Sequence, residues 1–281
     1  MTALIINGKE LAQNTRQSLK EKIAKLPEAP ALAVILVGNN PASEIYVRSK
    51  EKACLEVGIM AKTYHLEETI NEAELCDLIE ELNQAKDITG ILVQLPLPLH
   101  IDEKKILAAI SPKKDVDGFN PLNTGLLIQK NSDTFIPCTP KGIIALLHHI
   151  KSDLTGLNAV VVGRSQIVGL PTAQLLLKEN CTVTVAHSKT KNLEAVCQSA
   201  DILVIAIGKA EMINKNYIKP GAIIIDVGIN RTQEGLKGDV DFNSASSVAS
   251  YITPVPGGVG PMTIAMLLEN TYEAFLKQHN S

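Results

Sequence analysis

The sequence lacks the features that mark several classes of protein. It has no arginine-rich helix or basic block and a formal net charge of −3, which disfavours nucleic-acid binding. No apolar run approaches the roughly 20 residues that span a bilayer, so no membrane partner is predicted. The first residues, MTALIINGKE, lack a basic segment followed by a long apolar run, so we expect no secretory signal.

Cysteine and histidine are also sparse and irregularly placed. The five cysteines form no C-x-x-C pair, which is typical of a reduced, cytoplasmic protein. The six histidines show no H-x-x-x-H or H-E-x-x-H spacing. The adjacent His148 and His149 would point about 100° apart on a helix and chelate poorly. The sequence therefore predicts no metal site.

What the chain does contain is an alternation of strand and helix patterns. Its apolar, β-branched runs are continuous, as in strands buried on both faces of a parallel sheet. These runs lie at 31–38, 90–98, 158–163, 182–187, 201–208 and 222–228. Amphipathic helices are predicted at 8–25, 43–58, 71–86, 102–110, 171–179 and 192–199. This order predicts the α/β fold class.

A segment rich in Gly, Pro, Asn and Ser, at 118–140, indicates a domain boundary. We predict an N-terminal α/β catalytic domain, 1–121, and a C-terminal nucleotide-binding domain with a parallel sheet, 122–281. The segment 261–281 is predicted to be a helix, with Pro261 near its first turn, that packs back on the first domain. Two domains imply a ligand-binding cleft between them.

The segment NAVVVGRSQIVGLPTAQLLLKEN has the strand, glycine turn and helix of a dinucleotide site. In such sites the pyrophosphate binds free N–H groups at the helix start. The spacing departs from G-x-G-x-x-G, because Ser165 replaces the second glycine and one extra residue precedes Gly169. A turn without a ligand is the alternative. Ile167 excludes a G-x-S-x-G nucleophile elbow, which needs glycine at that position.

The end of the next strand indicates which dinucleotide binds. NAD-binding folds usually carry an acidic residue there, which holds the ribose 2′-hydroxyl. Here the strand ends in VAHSKTK, with Ser188, Lys189 and Lys191, and Arg164 is expected nearby. Hydroxyls and positive charges suit a 2′-phosphate, so the sequence predicts NADP over NAD. A solvated basic loop is the alternative.

A second group of polar residues lies in the first domain. Lys50 falls within the apolar stripe of its predicted helix, one turn after Tyr46. Gln94 interrupts an apolar strand, and Asp117 lies in a D-V-D-G loop. Each has a structural alternative, because Lys50 can extend to solvent, Gln94 can bond strand-end backbone groups and D-V-D-G can be a plain turn. Together, facing a nucleotide fold, they indicate a site.

Seven segments then occur in a fixed order along the chain: SEIYVRSK, GILVQLPLP, PKKDVDGFNP, VVGRSQIVGLP, VAHSKT, IDVGIN and TPVPGGVGPMT. They resemble the bifunctional methylenetetrahydrofolate dehydrogenase/methenyltetrahydrofolate cyclohydrolase family in its short bacterial form, over essentially the whole chain. The resemblance implies NADP-linked oxidation of 5,10-methylenetetrahydrofolate to 5,10-methenyltetrahydrofolate. It also implies hydrolysis of that product to 10-formyltetrahydrofolate, and a homodimer.

The resemblance implies a role for each site residue. Lys50 is the central catalytic group and Gln94 its hydrogen-bond partner. Tyr46 stacks on the aminobenzoyl ring of the folate, and Asp117 holds the N–H donors of the pterin. The remaining implied contacts are Pro256 and Gly257 for folate, and Gly163, Arg164, Ser165, Ser188 and Ile229 for NADP.

Three other functions stay open on the sequence alone. They are a folate dehydrogenase without cyclohydrolase activity, another two-domain NADP oxidoreductase such as a shikimate-type dehydrogenase, and a non-catalytic nucleotide-binding regulator. The length, and the lack of a G-x-x-x-x-G-K-[ST] loop, argue against a fused formate–tetrahydrofolate ligase.

Overall fold

The computed structural model describes residues 2–129 and 133–279, which form two compact units. The first, called here the six-stranded unit, comprises Met1–Ala12 and Thr139–Thr263. The second, called the three-stranded unit, comprises Gln13–Cys138 and Ile264–Ser281. The predicted division after residue 121 differs from this one at the N-terminal segment 1–12 and in the position of the boundary, which follows Cys138, whereas the C-terminal helix from Ile264 lies in the unit on which it was predicted to pack.

The three-stranded unit is a parallel sheet with helices. Its strand order is β3-β2-β4, and both pairs are parallel. The strands are β2 (Ala31–Val37), β3 (Met60–Leu66) and β4 (Gly90–Val93). The helices are α1 (Gly8–Ile23), which begins in the other unit, α2 (Pro41–Val57), α3 (Glu72–Gln84), α4 (Glu103–Ala109), α5 (Pro121–Ile128) and the later part of α10 (Val259–His279).

The six-stranded unit holds a second, fully parallel sheet of order β1-β11-β8-β7-β5-β6. Its strands are β1 (Leu4–Ile5), β5 (Asn158–Val162), β6 (Thr182–Ala186), β7 (Ile202–Ile205), β8 (Ile223–Asp226) and β11 (Tyr251–Ile252). A separate antiparallel pair is formed by β9 (Asn230–Thr232) and β10 (Gly235–Lys237). The helices are α6 (Cys138–Ile150), α7 (Gly169–Lys178), α8 (Leu193–Cys197) and α9 (Phe242–Ser246).

The continuous apolar runs are buried strands, and the predicted α/β class is confirmed. Every residue of β2, β4, β7 and β8 is buried, as expected for parallel strands covered on both faces. β4 ends at Val93, earlier than predicted, since Pro96 and Pro98 have no N–H for a sheet ladder.

Three segments differ from the sequence prediction for physical reasons. Residues 1–12 join the six-stranded unit because β1 pairs with β11. Strand β3 was not predicted, since Lys62, Thr63 and His65 interrupt its apolar residues and none of its residues is fully buried. The Gly- and Pro-rich segment 118–140 contains α5, and all of it up to Cys138 belongs to the three-stranded unit. The last two residues of the predicted helix 261–281 lie outside the described residues.

Helix α2 carries the predicted apolar stripe. Asn40 caps it, because its side chain accepts hydrogen bonds from two N–H groups of the first turn, and Gly58 ends it in the left-handed conformation, φ 89°. The apolar stripe residues Val47, Ala53, Cys54 and Val57 are all buried. None of the helices in the described ranges has the length and apolar character that a membrane crossing requires.

Candidate active site

Lys50 and Gln94 are brought together in the three-stranded unit. Lys50 lies on α2 and is partly buried, and Gln94 directly follows β4. The Lys50 Nζ donates a hydrogen bond to Gln94 Oε1 over 3.0 Å. The Gln94 Nε2 donates to the carbonyl of Leu95 over 2.8 Å, which holds the amide oxygen toward the lysine. The predicted contact of these two side chains is thus present.

Burial governs the electrostatics of Lys50. Loss of water around its ammonium lowers the pKa of Lys50, while the negative charge of Asp117 raises it. For Asp117, burial raises the carboxyl pKa, while the charge of Lys50 and a hydrogen bond with Cys138 lower it. Lys50 and Asp117 therefore lie close enough to influence each other's protonation.

Cys54 and Tyr46 lie on either side of Lys50 along helix α2. Burial raises the pKa of the Cys54 thiol to about 12, so Cys54 stays neutral one turn after Lys50. Tyr46 lies one turn before Lys50 and is 36% exposed. It is thus accessible to a planar ligand, as the predicted stacking role requires.

The loop that carries Asp117 is built around the buried carboxylate of Asp115. Asp115 Oδ1 accepts hydrogen bonds from the N–H groups of Gly118 and Phe119, both at 3.1 Å. Its Oδ2 accepts from the Asn120 N–H and the Asn123 side chain, both at 2.8 Å. Asp115 therefore has the structural role that the plain-turn alternative gives to D-V-D-G, because it fixes the turn next to Asp117.

Two buried residues that the sequence analysis missed also hold this loop. Asn270, on α10, donates from Nδ2 to the carbonyls of Val116 and Ile136, both at 2.9 Å. Cys138 Sγ donates to the same Val116 carbonyl over 3.3 Å. A polar residue on the buried face of a predicted helix is the signal that could have singled out Asn270.

The six-stranded unit contains a pocket of about 250 Å³ at the carboxyl ends of three neighbouring strands, β5, β6 and β7. Dinucleotides bind at such edges of parallel sheets. Of the predicted cofactor contacts, Gly163, Arg164 and Ser188 line the pocket, whereas Ser165 and Ile229 lie outside its lining. The further lining residues are Val162, His187, Leu193, Ala206, Ile207, Lys209 and Met212.

The residues of this pocket fit a phosphorylated dinucleotide. Gly163 has φ +129°, and a Cβ there would lie 2.3 Å from the Ala206 carbonyl oxygen, so only glycine keeps the wall in place. The lining described above includes Arg164, Lys209, His187 and Ser188 and no acidic side chain. This donor set suits the 2′-phosphate of NADP, as the sequence predicts.

The Ser165 side chain stabilises the turn before α7 and does not line the pocket. Its Oγ accepts hydrogen bonds from the N–H groups of Val168 and Gly169, each at 3.2 Å, and so closes the turn that begins α7. A Cβ on Gly169 would lie 2.3 Å from the Gly163 carbonyl oxygen. The extra residue in the glycine motif is therefore accommodated by a turn that the serine closes.

Pro256 and Gly257 belong to the six-stranded unit, in the loop between β11 and α10. Gly257 has φ +109°, and its carbonyl accepts a hydrogen bond from the Lys9 N–H over 2.9 Å. Within the described ranges, no group of three or more His, Cys, Asp or Glu could hold a metal ion.

A parallel sheet with a cationic pocket at its carboxyl edge defines a NAD(P)-binding α/β protein, and a partly buried lysine paired with an amide adds a second candidate site. Two family models match the chain. Residues 6–117 match the catalytic domain of tetrahydrofolate dehydrogenase/cyclohydrolase, and residues 137–279 match its NAD(P)-binding domain. The chain belongs to the tetrahydrofolate dehydrogenase/cyclohydrolase family.

Individual relatives agree with this assignment. The chain is 56% identical to the bifunctional protein FolD of Acetivibrio thermocellus, over 98% of this chain and 97% of the relative. The crystal structure of the bifunctional dehydrogenase/cyclohydrolase FolD from Campylobacter jejuni matches with a TM-score of 0.96 and 48% identity, over 98% and 99% of the two chains. The Trypanosoma brucei enzyme, solved with NADP cofactor and inhibitor, has a TM-score of 0.95 and 36% identity, over 100% of both chains.

These comparisons confirm the predicted family, the two-domain α/β fold, the bifunctional enzymatic activity and NADP as cofactor. The chain processes tetrahydrofolate substrates. The shikimate-type dehydrogenase and the non-catalytic regulator are thereby set aside.

Proposed function

We propose that this enzyme converts 5,10-methylenetetrahydrofolate to 10-formyltetrahydrofolate in two steps at one folate site, centred on Lys50. The observation that carries the proposal is the hydrogen bond from Lys50 Nζ to Gln94 Oε1, 3.0 Å, at a lysine whose pKa is lowered by burial. We assign folate binding chiefly to the three-stranded unit, which holds Lys50, Gln94 and Asp117, and NADP binding to the six-stranded unit.

The first step requires orientation more than acid–base catalysis. When bound, NADP supplies the acceptor for a hydride from the one-carbon bridge of the folate. The product, 5,10-methenyltetrahydrofolate, is a cation delocalised over two nitrogens, and it forms without loss of a proton. The chain's part is to hold the rings in place. We assign Tyr46 to stack on the aminobenzoyl ring and the Asp117 carboxylate to accept the pterin N–H groups.

The second step requires a base. Water attacks the cationic carbon and loses a proton, and one C–N bond then breaks to give 10-formyltetrahydrofolate. A neutral lysine next to this carbon can accept that proton or activate the water. Burial lowers the pKa of Lys50, and a bound cation disfavours the ammonium further. We assign this role to Lys50, with Gln94 orienting its amine.

The remaining assignments follow the family resemblance. Pro256 and Gly257 contact the folate, and Gly163, Arg164, Ser165, Ser188 and Ile229 contact NADP. For Ser165, this means a backbone contact, because its Oγ already accepts two backbone hydrogen bonds. We further propose a homodimer, as the resemblance implies. We also propose a cytoplasmic location, supported by five free cysteines.

A spectrophotometric assay with methylenetetrahydrofolate and NADP tests this function. It should follow the methenyl product and its decay together. We expect NADP reduction accompanied by transient methenyl absorbance. Methenyl product that accumulates without decay would identify a dehydrogenase alone, and no NADP reduction would contradict the proposed function altogether.

A further inference from the structure

The buried carboxylate of Asp239 holds one wall of the nucleotide pocket. Its Oδ2 accepts hydrogen bonds from the N–H groups of Ile207 and Gly208, at 2.7 and 3.0 Å. Its Oδ1 accepts from the N–H of Lys209, at 2.8 Å. Three consecutive backbone amides thus point at one side chain. Ile207 and Lys209 both line the pocket, although Asp239 does not.

A second carboxylate fixes Asp239 itself. Asp226, the last residue of β8, is buried, and its oxygens accept hydrogen bonds from the N–H groups of Asp239 and Val240, at 2.9 and 3.0 Å. Asp226 also accepts from the Gly228 N–H over 3.0 Å. The two carboxylates therefore link the segment after β7, the segment after β8 and the segment after β10.

The chain makes room for both carboxylates with glycine. A Cβ at Gly228 would lie 2.3 Å from the Asp239 Cγ, and a Cβ at Gly238 would lie 1.8 Å from an Asp226 oxygen. The Asn230 side chain completes the shell of Asp239 by donating to Oδ1 over 2.9 Å.

From this geometry we infer that Asp239 is a positioning residue for NADP binding. It acts through the backbone of residues 207–209 and holds Ile207 and Lys209 in the pocket wall before the cofactor arrives. The inference rests on the proposed binding of NADP in this pocket. Without the carboxylate, the three amides would have to find water or other acceptors, and the wall would lose its fixed shape.

The test replaces Asp239 by Asn and compares it with Asp241→Asn. The Asp241→Asn change removes the same charge two residues away. An asparagine at position 241 can still cap α9, as Asp241 does. Equilibrium titration of each protein with NADP gives the dissociation constant, and amide hydrogen exchange without cofactor gives the protection of residues 207–209. We expect Asp239→Asn to weaken NADP binding by about tenfold and to expose these three amides. Asp241→Asn should match the native protein in both.

Equal NADP affinity for Asp239→Asn and Asp241→Asn would overturn the inference. Unprotected amides at 207–209 in the native protein would overturn it as well, and this measurement needs no variant. If Asp239→Asn does not fold, Asn230→Ala removes one donor to the same carboxylate and should weaken NADP binding to a smaller degree. Native protein that binds no NADP would instead contradict the proposed function.

Discussion

The side chains of Lys50 and Gln94, 44 residues apart in the sequence, are joined by a single hydrogen bond from Nζ to Oε1. The lysine comes from α2, which packs on β2 and β3, and the glutamine follows β4 of the same sheet, so the packing of the helix on the sheet sets their separation. A neutral amide partner orients the amine without adding a charge that would favour the ammonium. The charge of the partner therefore affects how much neutral amine is available as the base that the hydrolysis requires.

Replacing Gln94 by Glu should suppress the cyclohydrolase at neutral pH. A carboxylate at this distance favours the charged lysine and raises the pKa of Lys50, so less neutral amine is present at a given pH. We expect cyclohydrolase turnover to fall by about tenfold near neutral pH and to recover as the pH rises. Dehydrogenase turnover should change less, because hydride transfer needs no base.

The check is a pair of pH–rate profiles, one for each reaction. Gln84→Glu, an exposed change of the same charge in α3, serves as the control and should follow the native profile. Superimposable cyclohydrolase profiles for the native and Gln94→Glu proteins would mean that the amine is not the titrating base.

Replacing Ser188 by Asp should weaken the preference for NADP. Ser188 lines the pocket whose lining includes Arg164 and Lys209 and no acidic side chain. A carboxylate there repels a 2′-phosphate and can accept a hydrogen bond from the 2′-hydroxyl of NAD. The ratio of kcat/KM values for NADP and NAD should drop by about tenfold or more, equivalent to about 1.4 kcal/mol. Ser199→Asp, on the exposed surface of the same unit, should leave the ratio unchanged, and an unchanged ratio in both would remove Ser188 from the cofactor site.

Replacing Gly118 by Ala should destabilise the Asp117 loop. Gly118 has φ +77°, and a Cβ there would lie 2.6 Å from the backbone nitrogen of Pro137. We expect a loss of about 1–3 kcal/mol in the free energy of unfolding, measured by denaturant titration. Gly125→Ala, within α5, meets no atom within 4 Å and should be neutral or stabilising by up to about 1 kcal/mol. Equal stability of the two variants would show that the loop tolerates a side chain at position 118.

Asp115 should give the protein a component of stability that decreases with rising pH. Burial raises the pKa of its carboxyl from 3.8 to about 6 despite the hydrogen bonds that it accepts. The folded state then binds a proton more tightly than the unfolded state, so the free energy of unfolding falls as the pH rises from about 4 to 6. Above this range the contribution is constant.

Asp115→Asn removes this titration, so the native protein should lose more stability than the variant between about pH 4 and 6. Parallel denaturant titrations across this range measure the difference. Asp77→Asn, an exposed change on α3, should keep the native slope. Identical slopes for the native and Asp115→Asn proteins would contradict the raised pKa.

The sheets and the central lysine could be predicted because both depend on local pattern. Buried parallel strands produce continuous apolar runs, and helical phase alone placed Lys50 among residues that pack. Strand β3 escaped prediction because polar residues interrupt its apolar run, as suits a sheet edge that is only partly covered. Helix α5 escaped because its Pro, Asn and Gly residues are also typical of a linker.

The supporting hydrogen bonds could not be predicted, since their partners are far apart in sequence. Asn270 holds the Val116 carbonyl from a helix 154 residues later, and Asp239 holds the amides of 207–209 from another loop. A polar residue at a position that the sequence pattern predicts to be buried indicates that it has a hydrogen-bond partner. Only the folded backbone identifies which one.

The measurement that tests the central claim most directly is the two-reaction assay on Lys50→Met, with Lys52→Met as control. Lys52 is exposed on the same helix, and its replacement should leave both rates near native values. For Lys50→Met we predict continued NADP reduction, with methenyl product that accumulates because its hydrolysis slows by about 10²-fold or more. Equal loss of both activities would contradict the account, since Lys50 would then bind or support the folate and not serve as the base of hydrolysis.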